Sequence, residues 1–220
     1  MTADETMIFW QGTGSAHLTY IPRKPTPLGI MLKTLVDTSS GVLLNAELME
    51  AADDMRDKEY VKEWGQTTAT TLRLTSPYQG KGKVLIIDSW FGSTRTAYSL
   101  KHLQGTYTIA NVKQNSRGFP KKELLESCPE RGDTASMSVQ LEDVTMWASC
   151  HRDKQPMSLI HTCDTMLRGA PRFRTFLKYS KGKVTRRKFT LEQPSVHARY
   201  RSTFWAVDRY NKLALGPDSV

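Results

Sequence analysis

Cysteine is almost missing from this chain. Cys128, Cys150 and Cys163 are the only three in 220 residues, an odd and sparse count that excludes a disulfide scaffold and fits a reducing compartment. No apolar run is long enough to cross a bilayer as a helix, so no membrane association is expected. Met1 to Trp10 carries two acids and no basic-then-apolar pattern, and no secretory leader is expected there. Internal repeats are absent. Several catalytic signatures are missing as well. His17 and His197 have no serine or cysteine nucleophile context. Gly80-Lys81-Gly82-Lys83 lacks the spacing of a phosphate-binding loop and reads as a turn. Cys150, His151, His161 and Cys163 do not follow a zinc spacing, and strand alternation sends adjacent residues to opposite faces. They read as ordinary strand residues.

Positive charge is what the chain has in excess. Thirty-one Lys plus Arg face 22 Asp plus Glu, a net charge of +9. A basic domain of this length suits a phosphate-backbone partner, with a basic soluble protein lacking such a partner as the alternative.

The most ordered stretch is Val84-Leu85-Ile86-Ile87-Asp88-Ser89-Trp90-Phe91. A short apolar run between glycine-rich turns predicts a buried central strand with an acid at its C-terminal end. In open α/β sheets such strand ends collect ligands. The plain alternative for Asp88 is an N-cap or an Asx-turn. Trp90 and Phe91 could stack on bases, but beside a buried strand they read as core.

Around this stretch the pattern predicts an opening strand over Thr2 to Gln11. The prolines of Tyr20 to Pro27 make a rigid connector. Leu28 to Val36 and Val42 to Leu48 form a hairpin through Asp37-Thr38-Ser39-Ser40-Gly41. Ala51 to Lys62 is a loop or surface helix. Thr67 to Leu74 is a weak helix candidate because threonine is a poor helix former. Ser93 or Thr94 caps a helix to about Leu103, and Thr106 to Val112 is a further strand.

From Lys113 the character changes to short strands over 136–141, 144–150 and 157–162, with a turn at Arg152 to Gln155. Five basic residues occur in the ten from Tyr179 to Lys188, with Lys178 flanking. This segment either tracks a phosphate backbone or is a solvated loop. From Pro194, Val196, Tyr200, Phe204, Val207 and Leu213 predict one amphipathic helix. Asp208 then falls in its C-terminal half, where an acid opposes the helix dipole.

Asp4 on the first strand, Asp88 at a strand end and Asp208 on a late helix could together hold two cations for polynucleotidyl transfer. By residue chemistry alone, any three of the 22 acids could be named.

Four segments single them out by resemblance: Ala3-Asp4-Glu5-Thr6-Met7; Tyr20-Ile21-Pro22-Arg23-Lys24-Pro25 with Gly29-Ile30; Asp88-Ser89-Trp90-Phe91-Gly92-Ser93; and Val207-Asp208-Arg209-Tyr210-Asn211-Lys212. In this order they resemble motifs of the catalytic region of piggyBac-type transposases and their transposable element-derived relatives. The resemblance implies an α/β, RNase H-like mixed sheet with flanking helices and a β-rich insertion. It divides the chain into a core over 1–112, an insertion over 113–193 and a C-terminal core helix and tail over 194–220. It implies Asp4, Asp88 and Asp208 as catalytic metal ligands for Mg²⁺ or Mn²⁺. Asn211 stands where the family often has a second aspartate, as a secondary ligand or a residue supporting the ligands. Expected DNA contacts are Lys113, Arg117, Lys121, Lys122, Lys181, Lys183, Arg186, Arg187 and Lys188. The implied partners are transposon-end DNA, a TTAA target and a second copy of the chain, in the nucleus.

Two departures from the family pattern stand out: Trp205-Ala206 replaces a Gly-Gly pair, and the family's N-terminal DNA-binding portion and C-terminal cysteine-rich module have no counterpart in these residues. The expectation is a truncated or degenerate copy. Two rivals remain: a non-catalytic DNA- or protein-binding module, and an unrelated nuclease of the same fold.

Overall fold

The computed structural model describes residues 1–216 except 23, 25, 26, 114, 164, 165 and 181. Lys181, one of the expected DNA contacts, and positions 23 and 25 of the proline-rich motif lie outside the described residues.

The elements run β1 (Thr2–Phe9), β2 (Leu18–Tyr20), β3 (Leu28–Val36), β4 (Leu43–Leu48), α1 (Ala52–Arg56), α2 (Val61–Trp64), α3 (Gln66–Thr75), β5 (Val84–Ile87), α4 (Thr94–Gln104), β6 (Tyr107–Asn111), α5 (Lys121–Glu126), β7 (Thr134–Leu141), β8 (Val144–Arg152), β9 (Pro156–His161), β10 (Arg172–Ser180), β11 (Lys183–Leu191), α6 (Ser195–Thr203) and α7 (Ala206–Leu215). Nine strands form one sheet in the order β2-β3-β1-β5-β6-β9-β8-β7, with β4 also paired to β3. β1 is antiparallel to β3 and parallel to β5, and β5 is parallel to β6. This is the mixed, helix-flanked sheet of an RNase H-like domain.

Alternation along β5 divides the core between two helical layers. Leu85 and Ile87 join Leu72, Leu74, Ala97 and Leu100 of α3 and α4 on one side. Ile86 joins Ile109, Leu159 and the α6 residues Val196 and Tyr200 on the other. Each fully buried aliphatic side chain contributes roughly 1.5–3 kcal/mol.

The β3–β4 hairpin forms as the turn residues predict, with the Asp37 carboxylate accepting from the amides and hydroxyls of Ser39 and Ser40. Ser93 caps α4 through the Thr96 amide. Despite its threonines, α3 is a ten-residue helix. Thr68 bonds Thr96, Thr75 bonds Gln104, and Thr71 bonds back to Thr67 O. Buried tertiary partners outweigh intrinsic propensity.

Three expectations change. The single helix after Pro194 is two, broken at Phe204–Trp205. Val196 and Tyr200 pack over β5 and β6, whereas Ala206 and Val207 pack on Val36 of β3. A straight helix cannot follow both patches of a twisted sheet. The basic segment is not a loop: β10 and β11 pair as an antiparallel ribbon. The stretch from 113 onward divides in two, since β9, β8 and β7 extend the core sheet beyond β6 while the ribbon pairs only with itself.

Candidate active site

The β1–β5 register brings Asp4 and Asp88 together. Thr2 pairs with Ile86 and Ala3 with Ile87 in parallel. One residue further along this register, Asp88 lies beside Asp4 on a neighbouring strand, and alternation turns both toward α6 and α7. The α6–α7 segment follows β1 in the same direction: Thr2 Oγ1 donates to Thr203 O, and Thr6 Oγ1 donates to Asn211 Oδ1 at 2.8 Å. Asp208 lies between these two contacts, in the first turn of α7. The break in the helix therefore removes the dipole objection, because an acid near a helix N-terminus is favourable.

The electrostatics follow from this proximity. The Asp4 carboxyl is pushed up to about 6, chiefly by burial and then by the charges of Asp88 and Asp208, against one amide bond from Glu5. Asp88 is also raised, mainly by burial. The amides of Trp90 and Phe91 and the charge of Lys113 oppose that rise.

Asp88 is indeed an Asx-turn acceptor: its Oδ1 receives Trp90 N at 2.9 Å and Phe91 N at 3.4 Å. The turn and a ligand role are compatible, since the turn engages one oxygen. Gly92 makes this turn possible. A Cβ there would lie 1.9 Å from Asn111 O and 2.9 Å from Asp88 O.

Three supporting residues carry no sequence signal of their own. Lys33 is fully buried, with Nζ 2.6 Å from Glu5 Oε1 and 3.5 Å from the Trp90 ring centroid. It braces the Asp88 turn from below and is committed to Glu5. Tyr200 belongs to the apolar stripe of α6, yet its phenol bonds Asn111 and is raised by burial and by Asp88. Asn111 ends β6 as an unremarkable strand residue, and only the fold brings it to the acids. Phe91 is core, as expected. Asn211 is buried, and its Oδ1 is engaged by Thr6, which also bonds Thr34.

The expected DNA contacts separate. Lys113 and Lys121 line one cavity of about 310 Å³ with Ser89 and Asn111, beside Asp88. Arg117 lines a different cavity with Trp64 and Arg95. Lys122 is exposed on α5, 4.0 Å from Glu126. Lys183, Arg186, Arg187 and Lys188 are exposed on β11, and alternation divides them between its faces. Arg186 and Lys188 share theirs with the exposed side chains of Phe173, Leu177 and Tyr179.

The donor set suits a hard divalent cation: carboxylate oxygens on separate elements, with the charges of Asp88 and Asp208 adding to the burial that raises Asp4. Among the described residues, the group whose donor atoms all lie within 4.8 Å is a different one, the exposed His102, Glu142 and Asp143. Asp4, Asp88 and Asp208 are more widely spread. Among the described residues no helix is long and apolar enough to cross a membrane.

Comparison with known proteins agrees with the fold. The family described as Transposase IS4 matches residues 1–215. A cryo-EM structure of a piggyBac transposase synaptic complex with hairpin DNA is similar over 97% of this chain at 20% identity, with a TM-score of 0.68. The match covers 40% of that chain, so the present sequence spans about two-fifths of its length. No curated protein matches.

Proposed function

The chain belongs to the Transposase IS4 family, and from that premise we propose that it carries a DNA strand-cleavage and strand-transfer centre built on Asp4, Asp88 and Asp208. One observation carries the proposal: the parallel register that sets Asp4 beside Asp88, with Asp208 in the first turn of the helix packed over β1. The acids come from separate segments, and the Asp4 carboxyl is raised first by burial and further by the charges of Asp88 and Asp208.

Bound by these carboxylates, Mg²⁺ or Mn²⁺ would activate the attacking oxygen and stabilise the leaving oxygen of a phosphodiester. The chain's own residues do the positioning. The Trp90 and Phe91 amides orient the Asp88 carboxylate, and the Thr6–Asn211 bond holds α7, and with it Asp208, against β1. Asn211 acts as a support for the ligands. Lys113 and Lys121 face the phosphates beside Asp88, and the basic ribbon adds backbone contacts further along the duplex. The substrate is double-stranded DNA at an element end, cut by water and then joined at a TTAA target, which assigns the protein to the nucleus and suits a paired complex of two copies.

The rival reading is a non-catalytic DNA-binding module. The spread of the three carboxylates favours it. Mn²⁺-dependent nicking of labelled duplex DNA decides between them. Wild type nicks and Asp88→Asn does not; nicking by neither, without calorimetric uptake of Mg²⁺ or Mn²⁺, leaves the binding module.

A further inference from the structure

The root of the β10–β11 ribbon gathers more cations than its acid can neutralise. Asp153 follows β8 and is 5% exposed. Arg131 and Arg174 each reach it through two nitrogens, with Nε at 3.0 and 2.8 Å, and Arg172 adds a third contact at 3.3 Å. Arg201 of α6 joins the group without bonding Asp153. One of its terminal nitrogens donates to the neutral Gln193 amide, and its buried Nε has no hydrogen-bond partner. Arg201 is lowered to about 10, first by burial and then by Arg172, with Arg174 adding to the repulsion. Arg172 is lowered first by burial and then by Arg174 and Arg131, with Asp153 opposing.

A purely structural role, tying the ribbon to the sheet, accounts for Arg131 and Arg174. It does not account for Arg201, which is half-buried among like charges with no acid of its own. Arg172, Arg174, Arg201 and Lys154 line a cavity of about 400 Å³ together with Asp153 and Asn111. Asn111 also lines the cavity of Lys113 and Lys121, so the two share a wall.

We propose that this arginine-lined cavity is a phosphate-binding pocket. On the reading of the acid site given above, on which this identification of the occupant rests, the phosphate is a backbone phosphate of the strand that passes Asp88. Guanidinium groups suit the task, since their planar donors bind phosphate oxygens in pairs. Asp153 positions Arg172 and Arg174, and Arg201 adds a guanidinium charge to the cavity wall that is not bonded to Asp153.

The test is binding in chelator, where cleavage plays no part. Arg201→Gln is the first variant because it removes no partner of Asp153 and leaves the ribbon anchored. Arg172→Gln is the second, and thermal melts confirm that both are folded. Inorganic phosphate is followed by calorimetry and a labelled duplex by anisotropy across a salt series. The expected result is loss of phosphate uptake, about ten-fold weaker duplex binding, and a salt slope shallower by about one. If phosphate uptake is lost while duplex binding and slope are unchanged, the pocket stands and its DNA occupant is overturned. A folded Arg201→Gln protein that retains both phosphate uptake and the wild-type slope overturns the pocket itself. Failure of Mn²⁺ nicking affects neither outcome, since that failure concerns the acids alone.

Discussion

Asp4 and Asp153 are both substantially shielded from water, and their environments drive them in opposite directions. Asp4 stands among acids and rises to about 6. For Asp153, burial alone would raise the carboxyl, but the hydrogen bonds from Arg174 and Arg131 prevail and hold it at about 2. Burial raises both carboxyls; at Asp4 the neighbouring acids add to that rise, and at Asp153 the arginines reverse it. The acid site holds negative charge in excess and the arginine node holds positive charge in excess. On the two proposals above, each would be completed by an external partner of opposite sign, a cation for the first and a phosphate for the second. A metal-dependent enzyme acting on DNA needs both, close together and kept apart by neutral groups. Asn111, which lines the arginine cavity, and Tyr200, which bonds it, are neutral groups between the two sites.

The largest effect expected is from Asp88→Asn. The asparagine oxygen keeps the Asx-turn, while Mn²⁺-supported nicking falls by at least about 1000-fold, the loss of several kcal/mol of transition-state stabilisation. A folded variant that still nicks breaks the acid half of the comparison.

Asp153→Asn comes next, as a stability change. Leaving the arginines unpaired costs about 3 kcal/mol at neutral pH, measured by denaturant titration. The folded-state pKa lies below the ordinary value of 3.8, so the wild-type advantage is present above that value and lost as pH falls through about 2.

Asp4→Asn is expected to act with the opposite sign. In chelator at neutral pH it stabilises the fold by about 2 kcal/mol, after discounting for partial exposure. The folded-state pKa lies above the ordinary value, so wild type regains this stability as pH falls through about 6, and the difference closes near 3.8. Equal stability of the two proteins at neutral pH would remove the evidence for crowded acids.

The smallest effect is a titration. His151 is buried and held at about 4, first by burial and then by Arg201, with Arg172 contributing and Asp153 opposing. Because the neutral form is favoured in the folded state, stability contributed by His151 declines as pH falls from about 6.5 toward 4. Arg201→Gln removes a positive neighbour and raises the His151 pKa in an NMR titration. No rise means that the arginines do not act as a charged group.

Much of the fold was legible because local chemistry and tertiary demand agree. The run from Val84 to Ile87 is apolar on both faces because both faces are covered, which is how a central strand reads in any sequence. Asp37 with Ser39 and Ser40, and Ser93 with Thr96, are short-range hydrogen-bonding patterns that need no distant partner. Where distant partners decide, the sequence misleads. The spacing from Val196 to Leu213 predicts one helix because the period continues across the break, and only the two separate patches of sheet reveal it. The threonines of α3 argue against a helix until Thr96 and Gln104 are in place to receive them. The basic residues after Tyr179 are equally consistent with a loop until β10 pairs with them.

The candidate site divides in the same way. The residue types were in the chain, and motif resemblance singled out Asp4, Asp88 and Asp208. Sequence alone determined that one acid lies on a first strand, that another ends a buried strand and that cations outnumber acids, because alternation and composition are local properties. Tertiary structure decided that Asp208 begins a helix over β1 and that Asn211 is tied to Thr6. It also decided that Arg131, Arg172, Arg174 and Arg201, drawn from three separate segments, gather around Asp153. Charges that share no sequence neighbourhood interact only once strand pairing and helix packing bring them within a few ångströms, and at that range the sign of each neighbour sets what the site binds.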